Sequence, residues 1–307
     1  MKNLTTLLLL AALLIAPISY ASSELLFFKH NGQQHSYLIH LPSSYNNDQS
    51  VPLLMVLHGR NGNAKRISES TGFSKRADQH GFIAVYPTGT NQQWNYLYGI
   101  PGAPDGSDDP GFLLALTDAV INTYNVDRKR LYVTGISNGG FMAQRLACDQ
   151  SDQYSGFASV AAGAYAVLSG NCNRSAPINA LYIHGTEDRL VPWEGLGIRD
   201  ESGSEQLVTM SIKSSLKFWA EHNQCSPKVD VKDLSSTGES SKTRVRVLNS
   251  NSCPSPSKVT LYAIIGGGHN WPGVQSAIPP SIAGQVNMDI HASDEILSIF
   301  NLTTSER

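Results

Sequence analysis

Short apolar runs alternate with longer mixed stretches along most of this chain. The runs are of strand length and are bounded by glycine, proline or polar residues, which is typical of strands buried on both faces. The longer stretches that follow them are helix-like. This alternation predicts an α/β fold with a mainly parallel central sheet flanked by helices. The predicted strands are 52–57, 82–86, 131–134, 178–183 and 259–265, and the predicted helices are 111–124, 141–147, 210–222 and 294–300.

A serine between two glycines follows one of these predicted strands. The pentapeptide Gly135-Ile136-Ser137-Asn138-Gly139 lies between the strand at 131–134 and the helix at 141–147. A G-x-S-x-G turn between strand and helix exposes the serine hydroxyl, because the flanking glycines relieve crowding in a strained turn. We therefore interpret Ser137 as a nucleophile, although a serine between glycines is also common in ordinary turns.

An acidic residue and a histidine follow Ser137 in the order that this kind of elbow requires. The segment 184–188 comes directly after a predicted strand and ends in Asp188, and 266–269 comes after the last predicted strand and ends in His269. We interpret His269 as the general base that takes the proton from Ser137. Asp188 is interpreted as the acid that orients the imidazole and stabilises its protonated form.

Both assignments have a competitor in the sequence. Glu187 lies in the same turn as Asp188, and spacing alone does not separate the two carboxylates. His184 is the competing histidine, but it precedes the acid on the same strand and would have to work from the same loop. His269 follows three glycines, which allow the backbone to carry it into a cleft.

An early apolar run ends in the turn His58-Gly59-Arg60-Asn61-Gly62. In enzymes with a nucleophile elbow, such a turn supplies one main-chain N–H of the oxyanion hole, and the residue after the nucleophile supplies the other. We assign these donors to Arg60 (or Gly59) and Asn138. A tight turn that needs glycine for steric reasons explains the same residues.

These segments resemble an esterase family of secreted polyhydroxybutyrate depolymerases and feruloyl or acetylxylan esterases. The resemblance implies an α/β-hydrolase fold without a large cap domain, and it implies the catalytic roles of Ser137, Asp188 and His269. It leaves the ester open, because members cleave polyesters, feruloyl sugars and acetylated xylan. The segments that carry it are 57–59, 108–112, 126–140, 184–188 and 267–273, with S-N-G-G at 137–140 and G-G-H-x-W-P-G at 267–273.

The N-terminus has the pattern of a secretory signal. Lys2 precedes an apolar stretch at 4–18, and Ser19-Tyr20-Ala21 places small residues where a signal peptidase reads them. The stretch is too short for a membrane span. We therefore expect a signal peptide over 1–21, one catalytic domain over 22–307, a secreted or periplasmic location and no stable membrane anchor.

Four cysteines in an exported chain indicate disulfides rather than catalysis. Three connectivities are possible, and free buried thiols are the alternative. Local pairing joins Cys148 to Cys172 and Cys225 to Cys253, and the family resemblance points the same way.

Charge and motifs restrict the partners. The formal net charge is -2 and basic clusters are absent, which argues against nucleic acid as a partner. No C-x-x-C or H-E-x-x-H motif occurs, and we expect neither a metal nor a cofactor. The expected partner is an ester substrate. A serine peptidase or a non-catalytic binding protein are the alternatives from other classes.

A long loop, 87–109, follows the second predicted strand, and loops of this length are usually functional or disordered. Its Trp94, with Trp193 and Trp271 from the acid and histidine loops, is predicted to wall a substrate cleft. The alternative is that such aromatic residues only pack the loop onto the domain.

The loop ends at Asp109 and Pro110, which are predicted to be the N-cap and first residue of the next helix. Asp108 and Asp109 are therefore not interpreted as a catalytic pair.

The substrate is the least determined feature. No linker or second composition block is visible, which predicts weak attachment to crystalline polyester. The segments between Asp188 and Ser204 are short and predict an open cleft. We expect cleavage of short acyl esters and of soluble hydroxybutyrate oligomers or feruloyl esters, with hydroxyalkanoate esters favoured and plant polysaccharide esters as the alternative.

Overall fold

The computed structural model describes residues 22–99, 106–172, 176–199, 205–236, 238, 242–250, 252–254 and 257–303, so the predicted signal peptide lies outside the described residues. The strands in chain order are β1 (Ser22–His30), β2 (Gln33–Leu41), β3 (Val51–Leu57), β4 (Ile83–Pro87), β5 (Val126–Ile136), β6 (Gly156–Val160), β7 (Asn179–Gly185), β8 (Leu196–Arg199), β9 (Glu205–Thr209), β10 (Asp230–Asp233), β11 (Arg244–Ser250) and β12 (Val259–Ile265). The helices are α1 (Ala64–Thr71), α2 (Phe73–His80), α3 (Asp109–Thr123), α4 (Asn138–Asp149), α5 (Leu168–Asn171), α6 (Ile212–His222), α7 (Pro280–Ala283) and α8 (Ala292–Ile299).

One large sheet organises the fold. Its ten strands lie in the order β1-β2-β4-β3-β5-β6-β7-β12-β11-β10. The strands from β4 to β12 in this order pair in parallel, while β1, β2, β11 and β10 pair antiparallel at the two edges. The predicted mainly parallel sheet is therefore confirmed.

The central strands are buried and mostly apolar where helices cover both faces of the sheet, although β5 begins with a charged, partly exposed segment at 127–130. In β3, Leu53, Met55 and Leu57 belong to the core on one face, and Leu54 and Val56 belong to the core on the other. Helices α3, α4 and α6 contribute to the first core, and α1, α2 and α8 to the second. By contrast, β11 begins with alternating exposed and buried residues, as expected for a strand near an edge.

The β1–β2 hairpin at one edge was not predicted. Its strands pair from Ser22 with Leu41 to His30 with Gln33, and the two-residue connection is Asn31-Gly32. Both connecting residues have positive φ, 44° and 81°. An Asn-Gly pair between strands is a strong local signal for such a turn, so the sequence contained the information.

The start of α3 differs from the prediction by one position. Asp108, not Asp109, caps this helix, and its side chain accepts a hydrogen bond from the main-chain N–H of Gly111 at 2.9 Å. Asp109 is fully buried and accepts from the main-chain N–H of Asn95 at 2.7 Å. Its carboxylate therefore anchors the long loop, and burial raises its pKa.

The topology brings four chain segments to one edge of the sheet. Strands β3, β5, β7 and β12 all belong to the parallel set, and their carboxyl ends therefore lie on the same side. The segments that follow them carry Arg60, Ser137, Asp188 and His269. In open α/β sheets this edge is where ligands bind.

Candidate active site

Ser137 occupies a strained turn between β5 and α4. Its φ and ψ are 56° and −121°, a combination that side chains rarely adopt outside tight functional turns. The neighbouring glycines are required by close packing. A Cβ added at Gly135 would lie 2.5 Å from the carbonyl carbon of Gly139, and one added at Gly139 would lie 2.5 Å from the oxygen of Leu57. The turn is thus a nucleophile elbow in geometry as well as in sequence.

Asp188 and His269 form a buried hydrogen-bonded pair. Oδ2 of Asp188 lies 2.8 Å from Nδ1 of His269, and an ionised carboxylate only accepts, so Nδ1 carries the proton. The other carboxylate oxygen, Oδ1, accepts from the main-chain N–H groups of Leu190 at 2.9 Å and Val191 at 2.8 Å. These bonds hold the carboxylate in place. Nε2 of His269 is the nitrogen left to accept a proton.

The competing carboxylate does not contact the imidazole. Glu187 is exposed, and its main-chain N–H donates to the oxygen of Gly267 at 2.9 Å. The side chain of Asp188 is buried. Of the two acids that the sequence leaves open, the structure places Asp188 against His269.

The glycines before His269 allow a close approach of two segments. A Cβ at Gly268 would lie 1.9 Å from the oxygen of Ala283, which is inside any permitted contact. The main-chain N–H of His269 donates to the same oxygen at 2.5 Å. Gly266 has a φ of 75°, which favours glycine. The histidine loop is therefore held against the segment that contains α7.

His184 is buried beside the pair rather than facing a cavity. Its Nε2 donates to the oxygen of Val191 at 2.9 Å and lies 3.5 Å from Oδ2 of Asp188. Nδ1 has no hydrogen-bond partner among the described residues. Burial lowers the pKa of His184 to about 4, although Asp188 opposes this shift. The ring is therefore neutral and acts as packing for the acid loop.

Three cavities meet around Arg60, and two of them reach Ser137. The first, called the His269 cavity, has a volume of about 490 Å³ and is lined by Ser137, His269 and Trp271 among others. The second, the Phe141 cavity, contains Ser137, Tyr96 and Phe141. The third, the Asn95 cavity, has a volume of about 510 Å³ and is lined by Asn95 and by residues of the long loop. Arg60 lines all three.

The turn after β3 runs beside Ser137. A Cβ at Gly59 would lie 3.6 Å from Cβ of Ser137. Later in the turn, the N–H of Asn61 donates to Gln92 and that of Gly62 to Gly59, whereas Arg60 donates no main-chain hydrogen bond among the described residues. Asn138 is the first residue of α4, where an N–H has no acceptor within the helix.

His58 fixes the shape of this turn. The N–H of Gly89 donates to its Nε2 at 3.0 Å, so Nδ1 carries the proton and donates to the oxygen of Gly59 at 2.7 Å. Burial lowers the pKa of His58 and keeps it neutral. The histidine of the His-Gly turn is therefore a positioning residue for Gly59 and Arg60.

The three tryptophans have different surroundings. Trp271 lines the His269 cavity, and its Nε1 donates to Ser293. Trp94 lines the Asn95 cavity but is 2% exposed, and its Nε1 donates to the oxygen of His58 at 2.8 Å. Trp193 lines none of these three cavities and packs near His184. Two of the three tryptophans thus border cavities beside the candidate site, and the wall that they form for a substrate stays a prediction.

Sequence patterns missed the pair of hydrogen bonds that joins the long loop to helix α4. Oδ1 of Asn138 accepts from the main-chain N–H of Trp94 at 2.6 Å, and its Nδ2 donates to the oxygen of Trp94 at 3.0 Å. They also missed the small sheet of β8 and β9, whose Leu196, Val208 and Thr209 line the Phe141 cavity. Neither contact has a local signal, because each joins segments that are distant along the chain.

Disulfides join Cys148 to Cys172 and Cys225 to Cys253. None of the helices formed by the described residues has the length and apolar character of a membrane span. Within the same residues, no group of three or more His, Cys, Asp or Glu side chains is arranged to hold a metal ion.

Comparison with known proteins identifies the relatives of this chain. A family model described as esterase PHB depolymerase matches residues 35–189. A Nocardia uniformis subsp. tsuyamanensis protein named "Putative esterase NocK" is 27% identical over 272 residues, which cover 86% of this chain and 78% of that protein. Feruloyl esterase B of Piromyces equi is 25% identical over 237 residues, which cover 76% of this chain and 42% of that protein.

Solved structures give the fold. An acetyl xylan esterase from Aspergillus awamori has a TM-score of 0.59 and 14% identity, covering 92% of this chain and 100% of that chain. A thermostable esterase has a TM-score of 0.51 and 18% identity, covering 65% of this chain and 52% of that chain. At such low sequence identity, structural similarity shows a shared fold and not a shared function. The predicted α/β-hydrolase fold is confirmed.

Proposed function

This chain belongs to the esterase PHB depolymerase family, and from that premise we propose that it is an exported serine carboxylic-ester hydrolase working through Ser137, Asp188 and His269. Its family makes it an ester hydrolase. The observation that carries the mechanism is the 2.8 Å hydrogen bond between Asp188 and His269. The imidazole so oriented shares a cavity with Ser137 in its strained elbow.

The first chemical step is attack by Oγ of Ser137 on the ester carbonyl carbon. Nε2 of His269 takes the hydroxyl proton, and the resulting imidazolium is stabilised by the carboxylate of Asp188. The carbonyl oxygen becomes an oxyanion. The main-chain N–H groups of Arg60 (or Gly59) and Asn138 donate to it, and losing one such donor typically costs about 2.7 to 4 kcal/mol of transition-state stabilisation.

The tetrahedral intermediate then collapses with loss of the alcohol. His269 returns its proton to the leaving oxygen, and the acyl group stays on Oγ of Ser137. A water molecule attacks this acyl-enzyme while His269 again takes a proton. Collapse of the second intermediate gives that proton to Oγ and releases the carboxylic acid, so the enzyme is regenerated.

The lining of the cavities supports small esters as substrates. The His269 cavity offers apolar side chains, among them Val274, Ala277 and Ile278, beside the reacting atoms. We propose esters of short hydroxyalkanoates as the substrate class. Feruloyl or acetyl esters of plant polysaccharide are the second candidate, because a relative is named feruloyl esterase.

Export is supported by two independent features. Residues 1–21 have the pattern of a cleaved signal peptide. Both pairs of cysteines are joined as disulfides, which persist in oxidising compartments.

A hydrolysis screen tests this function. It uses p-nitrophenyl esters from acetate to laurate, methyl ferulate, acetylated xylan, soluble hydroxybutyrate oligomers, crystalline polyester film and a long-chain triglyceride emulsion. We expect short esters and soluble oligomers to be cleaved, with activity falling for long acyl chains and for film. Fast clearing of film or a preference for the emulsion would contradict the proposed substrate class, and no cleavage of any ester would contradict the function.

A further inference from the structure

Among the described residues that line the cavities of the candidate active site, Arg60 is the one Lys or Arg. Arg60 is exposed, and it lines the His269 cavity, the Phe141 cavity and the Asn95 cavity. No Asp, Glu, Lys or second Arg is among the described residues that line these three cavities. The charge of Arg60 is therefore not offset within the space that a substrate enters.

Arg60 also has no partner elsewhere in the part of the chain that the structure describes. Its guanidinium forms no ion pair and no side-chain hydrogen bond there. The guanidinium of Arg145 in α4, by contrast, does have partners. It pairs with Asp149 at 2.6 Å and donates to the oxygen of Tyr96 at 2.9 Å. An arginine with all five donors available is complementary to an anion.

Neighbouring groups do not supply that anion. Tyr96 shares two cavities with Arg60, and burial raises the pKa of its phenol to about 12, so the phenol stays neutral. Asn138 lines the Phe141 cavity and the Asn95 cavity together with Arg60. Its side-chain amide is hydrogen-bonded to the main-chain N–H and oxygen of Trp94. Among the described residues, no side chain that lines these cavities therefore offers Arg60 an anion.

We propose that Arg60 forms a carboxylate-binding subsite, so that the enzyme prefers esters that carry a free carboxylate elsewhere in the molecule. The planar guanidinium binds a carboxylate through two parallel hydrogen bonds. This inference rests on the proposed ester hydrolysis and deepens it, because every oligomer of a hydroxy acid ends in a carboxylate. The carboxylate belongs either to the alcohol part of the ester or to its acyl part.

Matched pairs of esters test the subsite. For the alcohol part, the pair is the butyryl ester of β-hydroxybutyrate and the same ester with its carboxylate converted to a carboxamide. For the acyl part, the pair is monoethyl glutarate and its carboxamide. The ratio of kcat/KM within each pair is measured for the wild-type enzyme and for Arg60→Gln, Arg60→Lys and Lys65→Gln. The ratio cancels any general effect of a substitution on turnover.

We expect the wild-type enzyme to prefer the carboxylate by about fivefold to tenfold in one pair, and that pair identifies the part of the ester that Arg60 reads. Arg60→Gln should bring the ratio close to one, and Arg60→Lys should keep part of it. Lys65→Gln removes the same charge from an exposed site outside the cavities and should leave the ratio unchanged. Added salt should reduce the wild-type ratio, because exposed charges are screened.

A ratio near one in both wild-type pairs, or a ratio that survives Arg60→Gln, would overturn the subsite. Failure of the carboxylate-binding subsite can be distinguished from failure of the proposed ester hydrolysis. If p-nitrophenyl butyrate is hydrolysed while neither pair shows a preference, only the subsite is wrong.

Discussion

Oδ2 of Asp188 and Nδ1 of His269 lie 2.8 Å apart although the two residues are separated by 81 positions in the sequence. The contact forms because β7 and β12 are adjacent and parallel, so that the segments following them leave the sheet side by side. The remaining oxygen of the carboxylate is held by two main-chain N–H groups. The acid therefore has no freedom to turn away from the imidazole.

Removal of the nucleophile or the base should abolish most ester turnover. We expect Ser137→Ala and His269→Ala each to lower kcat for the best substrate by several orders of magnitude, because neither attack nor proton transfer remains. The double variant should be little slower than either single variant, since the residues act as a unit. Ser298→Ala on the exposed side of α8 is the control for substitution of a serine. Near-wild-type turnover by Ser137→Ala would refute the mechanism.

The two acids of the turn after β7 should differ sharply. In Asp188→Asn the amide oxygen can keep the bonds from the N–H groups of Leu190 and Val191, which turns the NH2 group towards Nδ1 of His269 and favours the wrong tautomer. Such a change typically lowers kcat by about four orders of magnitude. Glu187→Gln changes an exposed side chain in the same turn and should have little effect. Measurement of kcat for both variants shows which of the two carboxylates supports turnover. Equal losses for the two would show that the Asp188 contact is not the catalytic one.

The disulfides should be found in the exported protein. Peptide mapping without reduction should recover Cys148 joined to Cys172 and Cys225 joined to Cys253. Replacing Cys225 and Cys253 together by serine should lower the free energy of unfolding by about 2 to 4 kcal/mol, which denaturant titration measures. Four thiols that react with an alkylating agent in the native protein would contradict both links.

Buried His184 should make the fold less stable in mild acid. Its pKa is lowered from 6.5 to about 4 by burial, so between these values the unfolded chain binds a proton that the folded chain does not. Stability due to His184 is therefore present above pH 6.5 and is lost as the pH falls towards about 4. The contribution is at most about 1.4 kcal/mol per pH unit.

Denaturant titrations at neutral pH and in mild acid measure this effect. Burial also lowers the pKa of His35, His58 and His291, so the difference between wild type and His184→Gln is the relevant quantity. The variant should be less stable at neutral pH and should lose less stability on acidification. An identical pH dependence for the two proteins would mean that His184 does not titrate in this way.

Features with a local cause were predictable from the sequence. The central strands are apolar because helices cover both faces of the sheet, and that demand is visible residue by residue in β3. The glycines on both sides of Ser137 are visible in the sequence, and Gly135 is required by its close approach to Gly139 within the same turn, whereas Gly139 is required by its approach to Leu57 of β3. These elements, and the order Ser137, Asp188 and His269 along the chain, are visible in the sequence alone.

Other features were decided only when distant segments came together. The choice between Asp188 and Glu187 depends on which carboxylate faces β12, and the two are adjacent in sequence. Trp94 and Trp271 border two different cavities and Trp193 borders none of the three, although all are tryptophans in loops. The surroundings of Arg60 depend on segments far from it in the chain, which place no acid among the described residues that line the three cavities. Local patterns carry no record of such neighbours, because contacts between distant segments arise from packing of the whole sheet.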